Sequence, residues 1–174
     1  MFIFNSLRVR LRPFPGQCLK DGAGQNAGQC TARLPSPVYE ERPFQVGKGN
    51  VIKDGKDVVI FCCGIMLEHC LEAVEILKEN GIDAALVNHH SLKPFDEELT
   101  REYAAKCGKV FTVEEHSIIG GLGDAVASSL CGMGLKHFEK IGINDEFGQS
   151  GKPADLLVAY GLTGAQIAER VMKA

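Results

Sequence analysis

The densest chemistry in the chain lies in Val113-Glu114-Glu115-His116, followed by Ser117-Ile118-Ile119-Gly120-Gly121-Leu122-Gly123. Two carboxylates and an imidazole precede a glycine run. Such a run lets backbone approach closely and can leave N–H groups turned outward ahead of a helix. A helix N-terminus of this kind is a modest anion site. The spacing is not a dinucleotide fingerprint, because Gly121-x-Gly123 leads to Val126 where a third glycine belongs. Nor does a Gly-Lys-Ser/Thr follow, as a phosphate loop requires. The plainer reading is a tightly packed turn, with one carboxylate satisfying the helix amides and His116 hydrogen-bonded or at an interface. Glu115, His116, Gly120, Gly121 and Gly123 are therefore candidates for an interface.

Other reactive residue types yield less. Asn88-His89-His90 would need help from Glu115 and His116 to hold a metal. Adjacent side chains diverge, and no histidine pair stands four apart on a helix, so no metal ligand is assigned. Cys62-Cys63 closes an apolar run with no cationic neighbour to favour a thiolate, which reads as packing. Ser150, in Phe-Gly-Gln-Ser-Gly, is not a nucleophile elbow and is expected to cap a helix starting near Pro153. His69 and His137 are expected on or beside helices, at the surface. No paired carboxylates at catalytic spacing, basic-aromatic strip or internal repeat occurs. No catalytic or cofactor-binding residue is assigned.

The elements that must position these residues follow an alternating pattern. Phe44, Val46, Val51 and Ile52 flank a Gly-Lys-Gly-Asn turn or bulge in a first strand. Val58 to Cys62 is a continuous apolar run, as in a strand buried on both faces. Ile65 to Asn80 places Leu67, Leu71, Val74 and Leu77 opposite Glu68, Glu72, Glu75 and Glu79, an amphipathic helix stopped by Asn80-Gly81. Ala84 to Val87 is another strand, and Asp96 to Cys107 a helix stopped by Gly108. Lys109 to Val113 is a strand, leaving Glu114, Glu115 and His116 in the loop after it. A helix opens at the glycine run, with Leu122, Val126 and Leu130 at helical spacing. Phe138 to Ile143 is a weaker strand. Pro153 to Tyr160 is a short helix, and Thr163 to Gln166 is a capping box for a last one. Such alternation predicts a parallel sheet covered on both sides, with function in the loops after the strands.

Composition sets the outer limits. The chain has 174 residues, 45% hydrophobic and 24% charged, near the globular average. No apolar run approaches the roughly 20 residues of a membrane helix. The net charge of −3 suggests no nucleic-acid partner. Residues 1–36 differ in kind, with five basic residues against Asp21 alone, while the remainder carries 14 basic and 21 acidic. Their Arg-rich, Gly/Ala/amide character marks an unassigned extension outside the core. The seven cysteines are odd in number and irregularly spaced. Free thiols in a reducing compartment, the cytoplasm, are expected. An organelle becomes the destination if residues 1–36 act as a transit peptide.

Four ordered blocks then carry a resemblance. They are Gly55 to Gly64 (GKDVVIFCCG), Gly81 to Asn88 (GIDAALVN) with Ser91 to Asp96 (SLKPFD), Val113 to Gly123, and Phe147 to Gly151 (FGQSG) with Tyr160 to Thr163 (YGLT). Residues 37–174 resemble the C-terminal domain of the transketolase family of thiamine-diphosphate enzymes. Deoxyxylulose-phosphate synthases and the β chains of 2-oxoacid dehydrogenases are the alternatives within it; the closing FGQSG and YGLT stretches lean toward transketolase proper. The resemblance implies a three-layer α/β/α sandwich with a five-stranded, mostly parallel sheet whose first strand is antiparallel, amending the all-parallel expectation. It implies two-carbon ketol transfer between sugar phosphates by the complete enzyme. Thiamine diphosphate and a divalent metal would be held by other domains, with none expected on this chain alone. The implied partners are the thiamine-binding domains or subunit of the same enzyme, in a homo-oligomer, with no nucleic acid and no membrane.

Overall fold

A computed structural model describes residues 45–174. The expectations for residues 1–36, Phe44, Cys18 and Cys30 lie outside the described residues. Ten elements follow in order: β1 (Asn50–Lys53), β2 (Val58–Cys62), α1 (Met66–Glu79), β3 (Ala84–Asn88), α2 (Glu97–Cys107), β4 (Lys109–Ser117), α3 (Leu122–Ser129), β5 (His137–Ile143), α4 (Pro153–Ala159) and α5 (Gly164–Lys173).

The strands form one sheet in the order β1-β3-β2-β4-β5. β1 runs antiparallel to β3, and the other three pairings are parallel. Every residue of β2 and β3 is buried, which explains their uninterrupted apolar character. Side chains alternate between faces. Val59, Phe61, Ala85, Val87 and Val110 pack with Tyr103 and Ala104 of α2 and Leu122 and Val126 of α3. The other face belongs to α1 and α5, which pack against each other. This is the expected three-layer sandwich.

Helix ends obey local chemistry. Asp96 caps α2 by accepting the Leu99 N–H, and Gly108 at φ 74° ends it. Thr163 and Gln166 close the capping box of α5. Three local expectations fail. Ser150 does not cap α4, whose N-cap is Lys152 with no side-chain bond; the extended Lys152-Pro153 start needs only proline's preset φ. His137 lies in β5, not on or beside a helix, with its ring 5.1 Å from that of Phe111. The first strand begins only at Asn50, its bulge falling between Val51 and Lys53. Among the described residues no helix is long and apolar enough to cross a membrane.

Candidate functional site at the carboxyl edge of the sheet

The crossovers from β2 and from β4 lead to opposite faces, so the carboxyl ends of these neighbouring strands form a topological switch point, where open α/β sheets commonly bind ligands. On this edge Cys62 is the register partner of both Asn88 in β3 and Val113 in β4. The three strand-end loops singled out by the sequence therefore lie side by side.

β4 does not end at Val113. It runs on to Ser117, so Glu114, Glu115 and His116 belong to the strand and not to the loop after it. β5 holds this extension through Ser117 and Ile143, past an irregularity in the register. Gly142 makes that approach possible, since a Cβ there would lie 2.8 Å from the His116 carbonyl oxygen. Strand alternation turns Glu114 inward and leaves Glu115 exposed.

Glu114 is 2% exposed and caps α3 from a distance in sequence. Its carboxylate accepts the Leu122 N–H at 2.8 Å and the Gly123 N–H at 2.9 Å. Gly121 is required here for space, because a side chain would run into the Glu114 carboxylate. The Gly120 N–H donates to Asp124, which in turn pairs with Lys140. The Lys140 ammonium and the Gly120 N–H hold the Asp124 carboxyl below its usual range. Thus the anion position at the start of α3 is filled by the chain's own carboxylate.

His116 is exposed, and its Nδ1 donates to the Ser117 carbonyl at 3.0 Å. Glu115 beside it faces solvent, as do Ile119 and Gly120 in the turn that follows. The structure thus gathers all five interface candidates in one strand end and turn, with Gly121 and Gly123 serving the packing beneath. Sequence reasoning allowed for one carboxylate satisfying helix amides without saying which; the alternation Val110, Thr112, Glu114 identifies it.

The neighbouring loop is structural. His89 is buried, with its ring centroid 4.5 Å from Phe95 and 5.3 Å from Phe61. Thr100 donates its hydroxyl proton to the Asp96 carbonyl, so His89 Nε2 is the donor in its 3.2 Å bond with Thr100 Oγ1. Nδ1 is then unprotonated and has no hydrogen-bond partner. Burial pulls the His89 pKa down to about 4, against an opposing pull from Asp96. Burial, then the Glu114 charge, pushes the Cys63 thiol up to about 12, so it is no nucleophile at neutral pH. Hydrogen bonding to Cys70 and burial likewise hold the Cys62 thiol up. Among the described residues no three His, Cys, Asp or Glu side chains gather as a metal site. Two surface depressions of about 280 and 320 Å³ open at the opposite, amino edge, beside Ala84 and Lys109.

The family profile described as transketolase, C-terminal domain, matches residues 47–167. The chain belongs to this family. A Methanocaldococcus jannaschii protein, provisionally described as a transketolase C-terminal section, is 49% identical over 135 residues. The match covers 77% of this chain and 42% of that protein. A 1-deoxy-D-xylulose-5-phosphate synthase from Trichormus variabilis is 40% identical over 141 residues, 79% of this chain and 22% of the synthase. A solved structure described as a split gene transketolase, inactive β4 tetramer, is 46% identical with a TM-score of 0.74, covering 79% of this chain and 45% of that one. A Pichia stipitis transketolase, at 22% identity and TM-score 0.56, shares the fold. This transketolase C-terminal domain chain spans less than half the length of these relatives.

Proposed function

We propose that the chain acts as the C-terminal domain of a transketolase-like enzyme, bracing and joining it but not catalysing alone. The observation that carries this reading is Glu114 at the start of α3. The edge where α/β folds usually take ligands is closed from within by a buried carboxylate, while Glu115 and His116 are presented outward. A face built in this way suits a protein contact better than a diphosphate. The described residues do not fit thiamine diphosphate and its divalent metal: the α3 amides are taken by Glu114, and no set of metal donors converges. That group would sit on the partner, the thiamine-binding domains or subunit of the same enzyme. The complete enzyme would transfer a two-carbon ketol unit from a ketose phosphate to an aldose phosphate. Association in a homo-oligomer is supported by the tetramer formed by the 46%-identical relative. The five free cysteines among the described residues suit a reducing compartment, the cytoplasm.

A second reading is favoured by the 40%-identical synthase: the same domain bracing a 1-deoxy-D-xylulose-5-phosphate synthase. The product made by the assembled enzyme separates the two. The test of the joining role is the double substitution Glu115→Ala and His116→Ala in the assembled enzyme. Both assembly and activity should fall, while the chain alone should neither hold thiamine diphosphate tightly nor turn over sugar phosphates. Assembly and activity both unchanged, or turnover by the chain alone, overturns the reading.

A further inference from the structure

We propose that the whole carboxyl edge of the sheet, and not only the Glu115–His116 turn, is the face that docks on the thiamine-diphosphate-binding part of the enzyme. This inference rests on the transketolase-like reading above and extends the contact across all five strands.

Seven large apolar side chains are exposed among the described residues, and five of them stand at this one edge. Ile65 follows β2, Leu92 follows β3, Ile119 follows β4 and Phe147 follows β5. Val46 precedes β1, whose first residue, Asn50, pairs with Asn88 at the end of β3. Single exposed apolar residues are ordinary, but one per loop on a single edge is not scatter. Phe147 has no shielding at all, at 102% relative exposure. At the opposite edge, loops such as Asp54-Gly55-Lys56-Asp57 and Asn80-Gly81-Ile82-Asp83 hold none of the seven, and Met172 at the end of α5 is the one of them beside that edge. Apolar anchors within a polar rim, here Lys93, Glu115, His116 and Glu146, are the ordinary make-up of a protein interface.

The topology names the occupant. Because β1 is antiparallel, the polypeptide ahead of it reaches the fold at the carboxyl edge. It is fixed there by the Gly49 N–H and the Lys48 ammonium on Asp96. A domain described as C-terminal is preceded by the rest of its enzyme, and this chain spans only 42% and 22% of two relatives. In a relative in which that remainder precedes this domain in a single polypeptide, it is delivered to the face that carries the anchors.

Amide hydrogen exchange tests this with two proteins. One is the 174-residue chain alone. The other is the Methanocaldococcus jannaschii section with its matched segment replaced by residues 45–174. The loops at 63–66, 90–94, 117–121 and 145–149 should exchange at least about tenfold more slowly in the fusion, and those at 54–57 and 80–83 at unchanged rates. Should the fusion not fold, the unaltered section gives the same comparison at its corresponding loops. Equal exchange at both edges overturns the proposal. Slow exchange at the carboxyl edge of the chain alone would assign the face to a second copy or to its own N-terminal segment, and also overturns it. Ketol transfer is scored separately, with the fusion combined with the remaining section of its enzyme and compared with the unaltered section treated alike: lost transfer with the protection intact sinks the functional reading and leaves the docking face standing.

Discussion

His89 shows how a single buried atom sets a pH response. Its Nδ1 faces Gly49 with no donor or acceptor, so a proton added there would be a buried charge without a partner. The folded pKa is about 4, below the unfolded 6.5. Above pH 6.5 the ring is neutral in both states and contributes nothing to pH dependence. Between 6.5 and 4 the unfolded chain takes up the proton first, so stability falls as the pH falls and levels off below 4. The full shift corresponds to roughly 3 kcal/mol. Urea denaturation at pH 7, 5.5 and 4.5 measures it, and His89→Gln, which keeps a donor for Thr100, should flatten the slope. An equal slope in the variant would contradict the assignment. Asp96 and Asp124, held below the usual aspartate range, add their losses only at lower pH. The adjacent His89-His90 pair looked in sequence like weak metal chemistry; what sequence could not show was that Phe61 and Phe95 close around the first ring.

At the scale of elements, the α3 start depends on one carboxylate reached across the β4–α3 turn. Glu114→Ala would leave two buried N–H groups without acceptors, at a cost of about 2–4 kcal/mol. Glu114→Gln keeps one of the two acceptors and sets its NH2 against the other N–H, so it should cost less than alanine but remain destabilising. Gly121→Ala should approach the alanine loss, because its Cβ would displace the carboxylate. Chemical denaturation of the three variants checks the ranking, and an unaffected Gly121→Ala would refute the close approach. Most elements here were legible beforehand. The apolar runs of β2 and β3, the four-residue spacing in α1 and the capping box at Thr163 each state their structure locally. The end of β4 was not legible, because Glu114-Glu115-His116 reads as polar loop. Only tertiary partners, β5 on one side and the α3 amides on the other, make it strand. Ser150 misled in the opposite way: a good capping residue stood near a helix whose proline start did not need one.

At the scale of the molecule, helical and strand periods alone implied an all-parallel sheet, and only the four-block resemblance turned β1 around. Periodicity marks which residues are buried but not which way a short edge strand runs. The same layering decides what the domain can lose. α5 lies on α1, with Ile167, Ala168 and Val171 buried beneath it and Gly164 admitting Glu72 at close range. Arg170 also reaches from α5 to Glu139 in β5, joining the outer layer to the sheet. Burying the two larger side chains contributes roughly 3–6 kcal/mol, a large share of the about 5–15 kcal/mol net stability of an ordinary domain. Removing residues 164–174 would also uncover the α1 surface that α5 covers. The truncated chain should therefore lose its cooperative urea transition and near-ultraviolet dichroism while keeping some helical signal. A cooperative transition with an unchanged m-value would mean that α5 is not an integral layer. The domain is thus only as stable as the helix that completes its second face.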